Sequence, residues 1–321
     1  LPNTNQICYF LGLEIPGLDF DMSVSPPRPR LPHLNSLRAF EAAARLNSIA
    51  LAADELCVTP AAVAQQVKSL EAWVGDKLFL RNAKGVELTP LGAAVSADFS
   101  NAFDSLVSSV QKLRLSANPQ ELRIATMPSI AQLWVSPRLP FIRKTMPDLS
   151  LSVTALERPP NMRREPFDLA IFYRDQKEEN QTGFIEDDVI FPVCAPAIAE
   201  RLNAIADLRN EVFLHDTAWK EDWKTWLSAA SPDANLSKSG PEFSLYALAL
   251  EECKNGAGIL IGHESLVRRQ LQEGSLVAPF DFMVTLPRQL AYTTSETCTD
   301  NPVFRKVISM LAVSSGMNTP A

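Results

Sequence analysis

Ala61, Gln65 and Lys68 stand in a stretch where Val63, Val67, Leu70 and Val74 recur at helical intervals. At about 100° per residue the three valines and the leucine form one stripe, and the first three residues face the opposite way. A glutamine amide offers the paired donor and acceptor that match an adenine edge, and a lysine reaches a phosphate or a guanine. Small side chains at Ala61 and Ala64 let a backbone approach base edges closely. Thr59 suits the N-cap of this helix and Pro60 its first turn, while Ser48 suits the N-cap of a shorter helix before it. Arg81 and Lys84 lie at the turn Asn82-Ala83-Lys84-Gly85, a basic tip suited to a duplex backbone or minor groove. The predicted contacts to double-stranded DNA are therefore Ser48, Thr59, Pro60, Ala61, Ala64, Gln65, Lys68, Arg81 and Lys84.

Bond-making chemistry has less to work with. There is no Gly-rich phosphate loop, GxSxG elbow or HExxH, and Gly256-Ala257-Gly258 precedes a strand where a dinucleotide loop must follow one. Cys194 and Cys253 have no histidine close in sequence, and Glu178-Glu179 and Glu251-Glu252 read as solvated faces. His33, His215 and His263 keep no metal-ligand spacing from one another or from a cysteine. No enzyme, metal or cofactor is expected. Five scattered cysteines without a CxxC fit reduced thiols in a cytoplasmic, nucleoid-associated protein.

The elements that must hold Gln65 and Lys68 are legible too. Leu34, Leu37, Phe40 and Ala44 predict one helix, and Ile49, Ala52, Ala53 and Leu56 a second, with Cys57-Val58-Thr59 as the break before the third. Leu78–Arg81 and Val86–Leu88 then predict a hairpin, and Thr89-Pro90 caps a new helix. A plain three-helix segment would share the first pattern, but the basic hairpin after it favours a winged helix-turn-helix over residues 34–90.

Here the chain resembles LysR-type transcriptional regulators. The resemblance rests on Leu37–Ala44, Ala52-Ala53-Asp54-Glu55-Leu56, Val58–Val63, Gln65–Glu71, Gly75, Leu78-Phe79, Arg81 and Leu88–Gly92. Two positions depart from the family: Ala64 stands where serine is usual, and Leu51 where a basic or polar residue is frequent.

Residues 91–118 read as one long linker helix. Leu91, Val95, Phe99, Ala102, Leu106, Val110 and Leu113 step by fours and threes, a seam that wants a partner. A second copy is the simplest partner, and packing against the chain's own domain is the alternative. The resemblance implies dimerisation here through Val95, Phe99, Ala102, Leu106, Val110 and Leu113, and further assembly to a tetramer. Ser116-Ala117-Asn118-Pro119 ends the helix in a hinge.

From Leu122 strands and helices alternate, which predicts an α/β domain with a mostly parallel sheet over 119–314. Strands are expected at 122–126, 149–156, 168–173, 188–194, 212–215, 258–261, 276–279 and 290–294. Helices are expected near 129–145, 196–203, 220–230, 244–255, 264–272 and 302–314. The order fits two subdomains, about 119–191 with 288–314 and about 192–287. The resemblance, here to the glycine-cleavage-activator branch, implies a periplasmic-binding-protein-like sensor. Ligands of such sheets lie beyond the carboxyl ends of strands. That rule nominates Met127, Pro128 and Ser129, Tyr173 and Arg174, His215, Ser244 and Thr293 as contacts for a small carboxylate or amino-acid-like effector. Arg174 offers a bidentate fork for a carboxylate. Trp134, Trp219, Trp223 and Trp226 read as core.

The 321 residues carry a net charge of −7, divided as −3 over 1–27, +2 over 28–90, zero over 91–120 and −6 over 121–321. Such a balance permits nucleic-acid contact near the N-terminal third. Residues 1–33 read as a flexible extension, with Met22 as a candidate start and no secretory or membrane-spanning pattern. The fold class expected is α/β overall: an all-α winged helix-turn-helix, a linker helix and a two-subdomain α/β sensor. The function expected is a ligand-responsive regulator that binds an interrupted palindromic promoter site, with RNA polymerase as a further partner if it activates.

Overall fold

A computed structural model describes residues 31–82, 85–175, 183–231, 239–295, 298 and 301–313. The chain divides into two compact units, one reaching Ser100 and the other starting at Asn101.

The first unit contains α1 (Leu34–Leu46), α2 (Ile49–Leu56) and α3 (Pro60–Val74). Asn47 and Cys57, at φ 49° and 53°, turn the chain through the left-handed region, so each helix ends within one residue. The Ser48 hydroxyl accepts from the Leu51 amide and the Thr59 hydroxyl from the Ala62 amide, both at 3.2 Å, capping α2 and α3 as their spacing predicts. Phe40, Ala43, Ala52, Ala53, Val63, Val67 and Leu70 bury together. Val74, the fourth member of the predicted stripe, is 42 % exposed, because Glu71 occupies the buried position at that end of α3.

The wing is β1 (Phe79–Asn82) paired antiparallel with β2 (Gly85–Leu88), Phe79 opposite Leu88. Thr89 ties its base to α4 (Pro90–Ala117): its hydroxyl donates to the Lys77 carbonyl and accepts from the Gly92 amide. A Cβ at Gly92 would lie 2.4 Å from the Leu78 carbonyl oxygen, so glycine is required for this approach.

The two halves of α4 belong to different units. Toward its start, Phe99 meets Phe40 edge-on at 5.6 Å and the Ser100 hydroxyl donates to Glu41. Toward its end, Gln111 donates to the Glu165 carbonyl, Arg114 pairs with buried Asp168, and Leu115 packs on the sheet core. Leu106, Val110 and Leu113 are 47, 58 and 71 % exposed.

The second unit is built on an eight-stranded sheet in the order β4-β3-β5-β10-β6-β9-β7-β8. The strands are β3 (Glu121–Thr126), β4 (Ser150–Ala155), β5 (Leu169–Asp175), β6 (Gly183–Val193), β7 (Phe213–Asp216), β8 (Glu242–Phe243), β9 (Ile259–His263) and β10 (Val284–Thr294). The sheet is mixed rather than mostly parallel. Pairs at either end are parallel, but β10 runs antiparallel to both β5 and β6, and β6 to β9. The two long strands β6 and β10 make the crossings expected near 190–196 and 280–290. Pro287 and Arg288 conceal the first half of β10, whose ladder with β6 shifts register between Thr285 and Gln289. The strand expected at 276–279 is a single bridge from Val277 to Cys194, and β8 was not anticipated.

After β3 a helical run passes from Pro128–Ile130 through a π turn and a 3-10 turn into α5 (Leu139–Thr145). Then come α6 (Pro196–Ala199), α7 (Asp222–Ala230), α8 (Tyr246–Lys254), α9 (Glu264–Gln272) and α10 (Pro302–Val313). Trp134, Trp223 and Trp226 are buried in the core as expected, whereas Trp219 is only partly covered.

Candidate DNA interface and sensor cleft

Capping of α3 by Thr59 leaves the helix with a buried face of Val63, Val67 and Leu70 and an exposed row of Ala61, Gln65 and Lys68. Ala64 is half-buried and Gln66 is held by the Ser36 hydroxyl at 2.8 Å, so the two adjacent glutamines differ: Gln66 is tied to α1 and Gln65 is presented. A groove of about 590 Å³ runs beside this row, lined by Ser48, Ala64, Lys68, Lys77, Gly85 and Val86 among others. Its walls are the start of α2, the length of α3 and the wing. Pro60 and Ala61 lie exposed at the head of α3. Arg81 lies on β1, but its side chain and the whole of Lys84 fall outside the described residues.

Glu71 fixes the wing against α3. Its carboxylate accepts from the Leu78 amide at 3.0 Å, the Phe79 amide at 3.4 Å and the Lys77 ammonium at 2.7 Å. Burial works against the charged form, but these donors outweigh it and hold the carboxyl below its usual range. On α1, buried Glu41 accepts from Arg45 at 3.1 Å, and Arg45 also pairs with Glu55 on α2. Both carboxylates work as internal braces and leave Lys68 and Lys77 facing the groove.

In the second unit a polar and aromatic cluster gathers where strands from both ends of the sheet meet β6 and β10. His263, at the carboxyl end of β9, is 1 % exposed. Its Nδ1 lies 2.8 Å from Asp188 on β6 and its Nε2 3.2 Å from Asp222 at the start of α7. Arg288 on β10 donates to the same two carboxylates, at 2.6 and 2.9 Å. Arg288 and, when protonated, His263 thus offset the charge of the two carboxylates. Burial pushes the Asp188 carboxyl up, yet His263 and Arg288 pull it below its usual range; burial pushes His263 down, yet Asp188 and Asp222 raise it. Around the ring stand Trp219 at 4.1 Å and Tyr173 and Tyr246 at 5.6 Å. The Tyr173 hydroxyl bonds the Ser265 hydroxyl at 2.5 Å. Asp216, where β7 ends, is raised by burial.

Of the residues expected to hold an effector, Tyr173 belongs to this cluster. Successive residues of a strand face opposite sides. Arg174 therefore shares the face of Ala170 and Phe172, and Tyr173 that of Leu169 and Ile171. The same alternation puts His215 with Phe213 and Asp216 with Leu214, and Asp216 is near enough to His263 for their charges to interact. Ser129 is 6 % exposed at the first turn after β3, beside half-buried Met127 and Pro128. Ser244 is exposed and precedes the start of α8. Thr293 pairs with Ala170 near the beginning of β5. Because β10 is antiparallel, the carboxyl end of β5 is reached by Arg288 and Gln289, which pair with Asp175 and Arg174. Asp188, Trp219, Asp222, His263, Ser265 and Arg288 were not singled out as site residues. The strand-end rule would have found His263 had β9 been drawn two residues longer.

Among the described residues no group of three or more His, Cys, Asp or Glu is placed to hold a metal ion, and no helix is long and apolar enough to cross a membrane.

Comparison with known proteins matches residues 34–93 to the family described as bacterial regulatory helix-turn-helix protein, lysR family, and residues 116–314 to the LysR substrate binding domain. The glycine cleavage system transcriptional activator of Escherichia coli K12 is 32 % identical over 256 residues, 78 % of this chain and 84 % of that protein. The HTH-type transcriptional regulator DsdC of the same organism is 34 % identical over 272 residues, 82 % and 87 % of the two chains. Among solved structures, the effector domain of the regulator AmpR from Pseudomonas aeruginosa superposes with a TM-score of 0.51 at 21 % identity. It covers 60 % of this chain and 96 % of that one, a likeness of fold.

Proposed function

We propose, from the premise that the chain belongs to the LysR family of bacterial transcriptional regulators, a specific way in which it reads DNA and senses its ligand. The protein is a ligand-responsive regulator with a helix-turn-helix and an effector-binding domain, and its family binds DNA and small molecules as oligomers. The observation that carries the DNA reading is the exposed row Ala61, Gln65, Lys68 on a helix whose opposite face is core. With α3 in a major groove, Gln65 would read an adenine edge and Lys68 a phosphate or guanine, and the wing with Arg81 and Lys84 would follow the backbone. Two copies joined along Leu106, Val110 and Leu113 would read the half-sites of an interrupted palindrome, and two such pairs would form a tetramer on a cytoplasmic, nucleoid-associated promoter. Contact with RNA polymerase belongs to this reading if the protein activates.

For the effector we infer a zwitterionic amino acid or a close relative. With His263 protonated, it and Arg288 offset Asp188 and Asp222 where the strand ends meet, so a ligand without net charge enters at the least electrostatic cost. Tyr173, Trp219 and the turn Met127-Pro128-Ser129 would surround it, with the two lobes taken as about 119–191 with 288–314 and about 192–287. A relative named for the glycine cleavage system supports an amino-acid-linked role. The test is a gel-shift assay on the gene's own upstream region at low salt, with a thermal-shift screen of amino acids. Retarded DNA and a stabilising amino acid are expected; a protein that retards no such fragment refutes the DNA reading, and an amino-acid screen without a hit refutes the effector class.

A further inference from the structure

We propose that the sensor unit contains a proton-operated latch, in which the imidazolium of His263, clamped between Asp188 and Asp222, fastens β9 and α7 to the long strands β6 and β10. The geometry favours the charged ring. Nδ1 lies 2.8 Å from Asp188 Oδ1 and Nε2 lies 3.2 Å from Asp222 Oδ2. A neutral imidazole has one N–H donor and one bare lone pair, so it can satisfy one carboxylate while turning a lone pair on the other. Only with both nitrogens protonated does the ring offer a donor to each carboxylate.

Every element packed around the ring contributes to this balance. β6 supplies Asp188, α7 supplies Asp222, and β10 supplies Arg288, which donates to both carboxylates. β7 brings Asp216, raised by burial and favoured in its charged form by His263. β5 and α8 bring the hydroxyls of Tyr173 and Tyr246, both held neutral by burial, and Trp219 closes one face. Glu264, the next residue along the chain, turns to Arg268, which also holds Glu186 of β6.

When His263 loses its proton, Arg288 alone faces Asp188 and Asp222. A ring 1 % exposed has no solvent to make up the difference, and an uncompensated buried carboxylate is strongly unfavourable. The longer contact, to Asp222, gives way first. Because Asp222 opens α7 and Trp219 stands just before it, release there loosens the α7 and β9 end of the sheet from β6 and β10. The sign follows from the direction of the shift. The pKa of His263 is raised above the ordinary 6.5, so the latch is fully fastened below that value and is lost as pH rises through the folded-state pKa. Acidification fastens the latch and alkalinisation loosens it, whatever the effector.

The test uses the full chain. An imidazolium in contact with an indole quenches its fluorescence, and Trp219 lies 4.1 Å from His263. Tryptophan emission is followed from about pH 6 to about pH 9, the span of a raised imidazole titration. Wild type should brighten in one step, and both His263→Gln and Trp219→Phe should lose that step. Asp222→Asn, which removes one carboxylate without changing size, should move the midpoint down by about one pH unit. At a single pH, amides of Asp222–Ala230 and Ile259–His263 should exchange hydrogen about tenfold faster in His263→Gln than in wild type. A step that survives in His263→Gln, or an Asp222→Asn midpoint equal to wild type, overturns the latch. Should His263→Gln fail to fold, the Asp222→Asn midpoint decides alone.

Discussion

Replacing Glu71 by alanine tests whether the wing is set by one buried carboxylate. The side chain is 8 % exposed and accepts three hydrogen bonds. The Lys77 contact contributes little, since that ammonium is 69 % exposed and screened. The Phe79 contact, at 3.4 Å, is weak. The Leu78 amide is buried and bonds at 3.0 Å, so truncation removes a charged acceptor and strands a donor. Charge-assisted bonds contribute about 1.5–3 kcal/mol, and a stranded buried amide costs about 1–3 kcal/mol; these are two views of the same loss, so about 2–3 kcal/mol is expected. A domain of this size shifts by roughly 4–8 °C per kcal/mol, which predicts a fall of about 10–20 °C. The assay is calorimetry of the full chain, with the transition of the N-terminal unit recognised by its stabilisation on adding DNA. Glu71→Gln keeps an acceptor and should recover about half of the loss. The carboxyl is held below its ordinary 4.5, so its contribution is present above that value and disappears as pH falls through the folded-state pKa; the gap between wild type and Glu71→Ala should close in acid. A Glu71→Ala transition within about 2 °C of wild type would refute the reasoning, because no cost above roughly half a kcal/mol could then be attached to the stranded amide.

Gln65→Ala should weaken the specific site by about 1–3 kcal/mol and leave non-specific binding nearly unchanged, measured by titrating operator and random duplex at one salt concentration. Leu106→Asp with Val110→Asp should yield protomers by sedimentation without loss of helix, whereas Phe99→Asp should unfold the N-terminal unit, since that ring packs on Phe40. Tyr173→Phe removes the hydroxyl bonded to Ser265 and should raise the effector concentration needed in a reporter assay by about tenfold, one lost hydrogen bond. Arg174→Ala, on the opposite face of β5, should change that concentration by less than about twofold.

The N-terminal unit was legible because its signals are local. Ser48, Thr59 and Pro60 announce helix starts through their own chemistry, and a stripe at helical intervals names the buried face. The exception is instructive. Periodicity placed Val74 inside and said nothing of Glu71, yet the buried position goes to the carboxylate, because amides seven and eight residues along the chain need an acceptor there. A stripe reports hydrophobic demand and is blind to the unpaired backbone of another element. Phe99 shows the same limit from the other side. Its place in a seam of fours and threes is real, but the sequence cannot say which partner each member of the seam meets, and Phe99 meets Phe40.

In the second unit what was lost was strand direction. The rule that ligands gather at carboxyl ends of strands assumes that neighbouring strands run the same way. It nominates Tyr173, whose ring lies beside His263, and it reaches His263 once β9 is given its full length. On β10 it pointed to Thr293, because direction is a property of the pairing and not of the strand. Reversal brings Arg288, near the strand's beginning, to the end of β5 and into reach of Asp188 and Asp222. Those two carboxylates are 34 residues apart in the chain, and His263 and Arg288 lie farther on. No spacing rule links them, since two crossing strands and a helix start meet at that point only after the sheet has formed. The pairing of Arg288 and His263 with the two carboxylates thus belongs to the topology, and a single reversed strand decides whether Arg288 or Thr293 stands at the carboxyl end of β5.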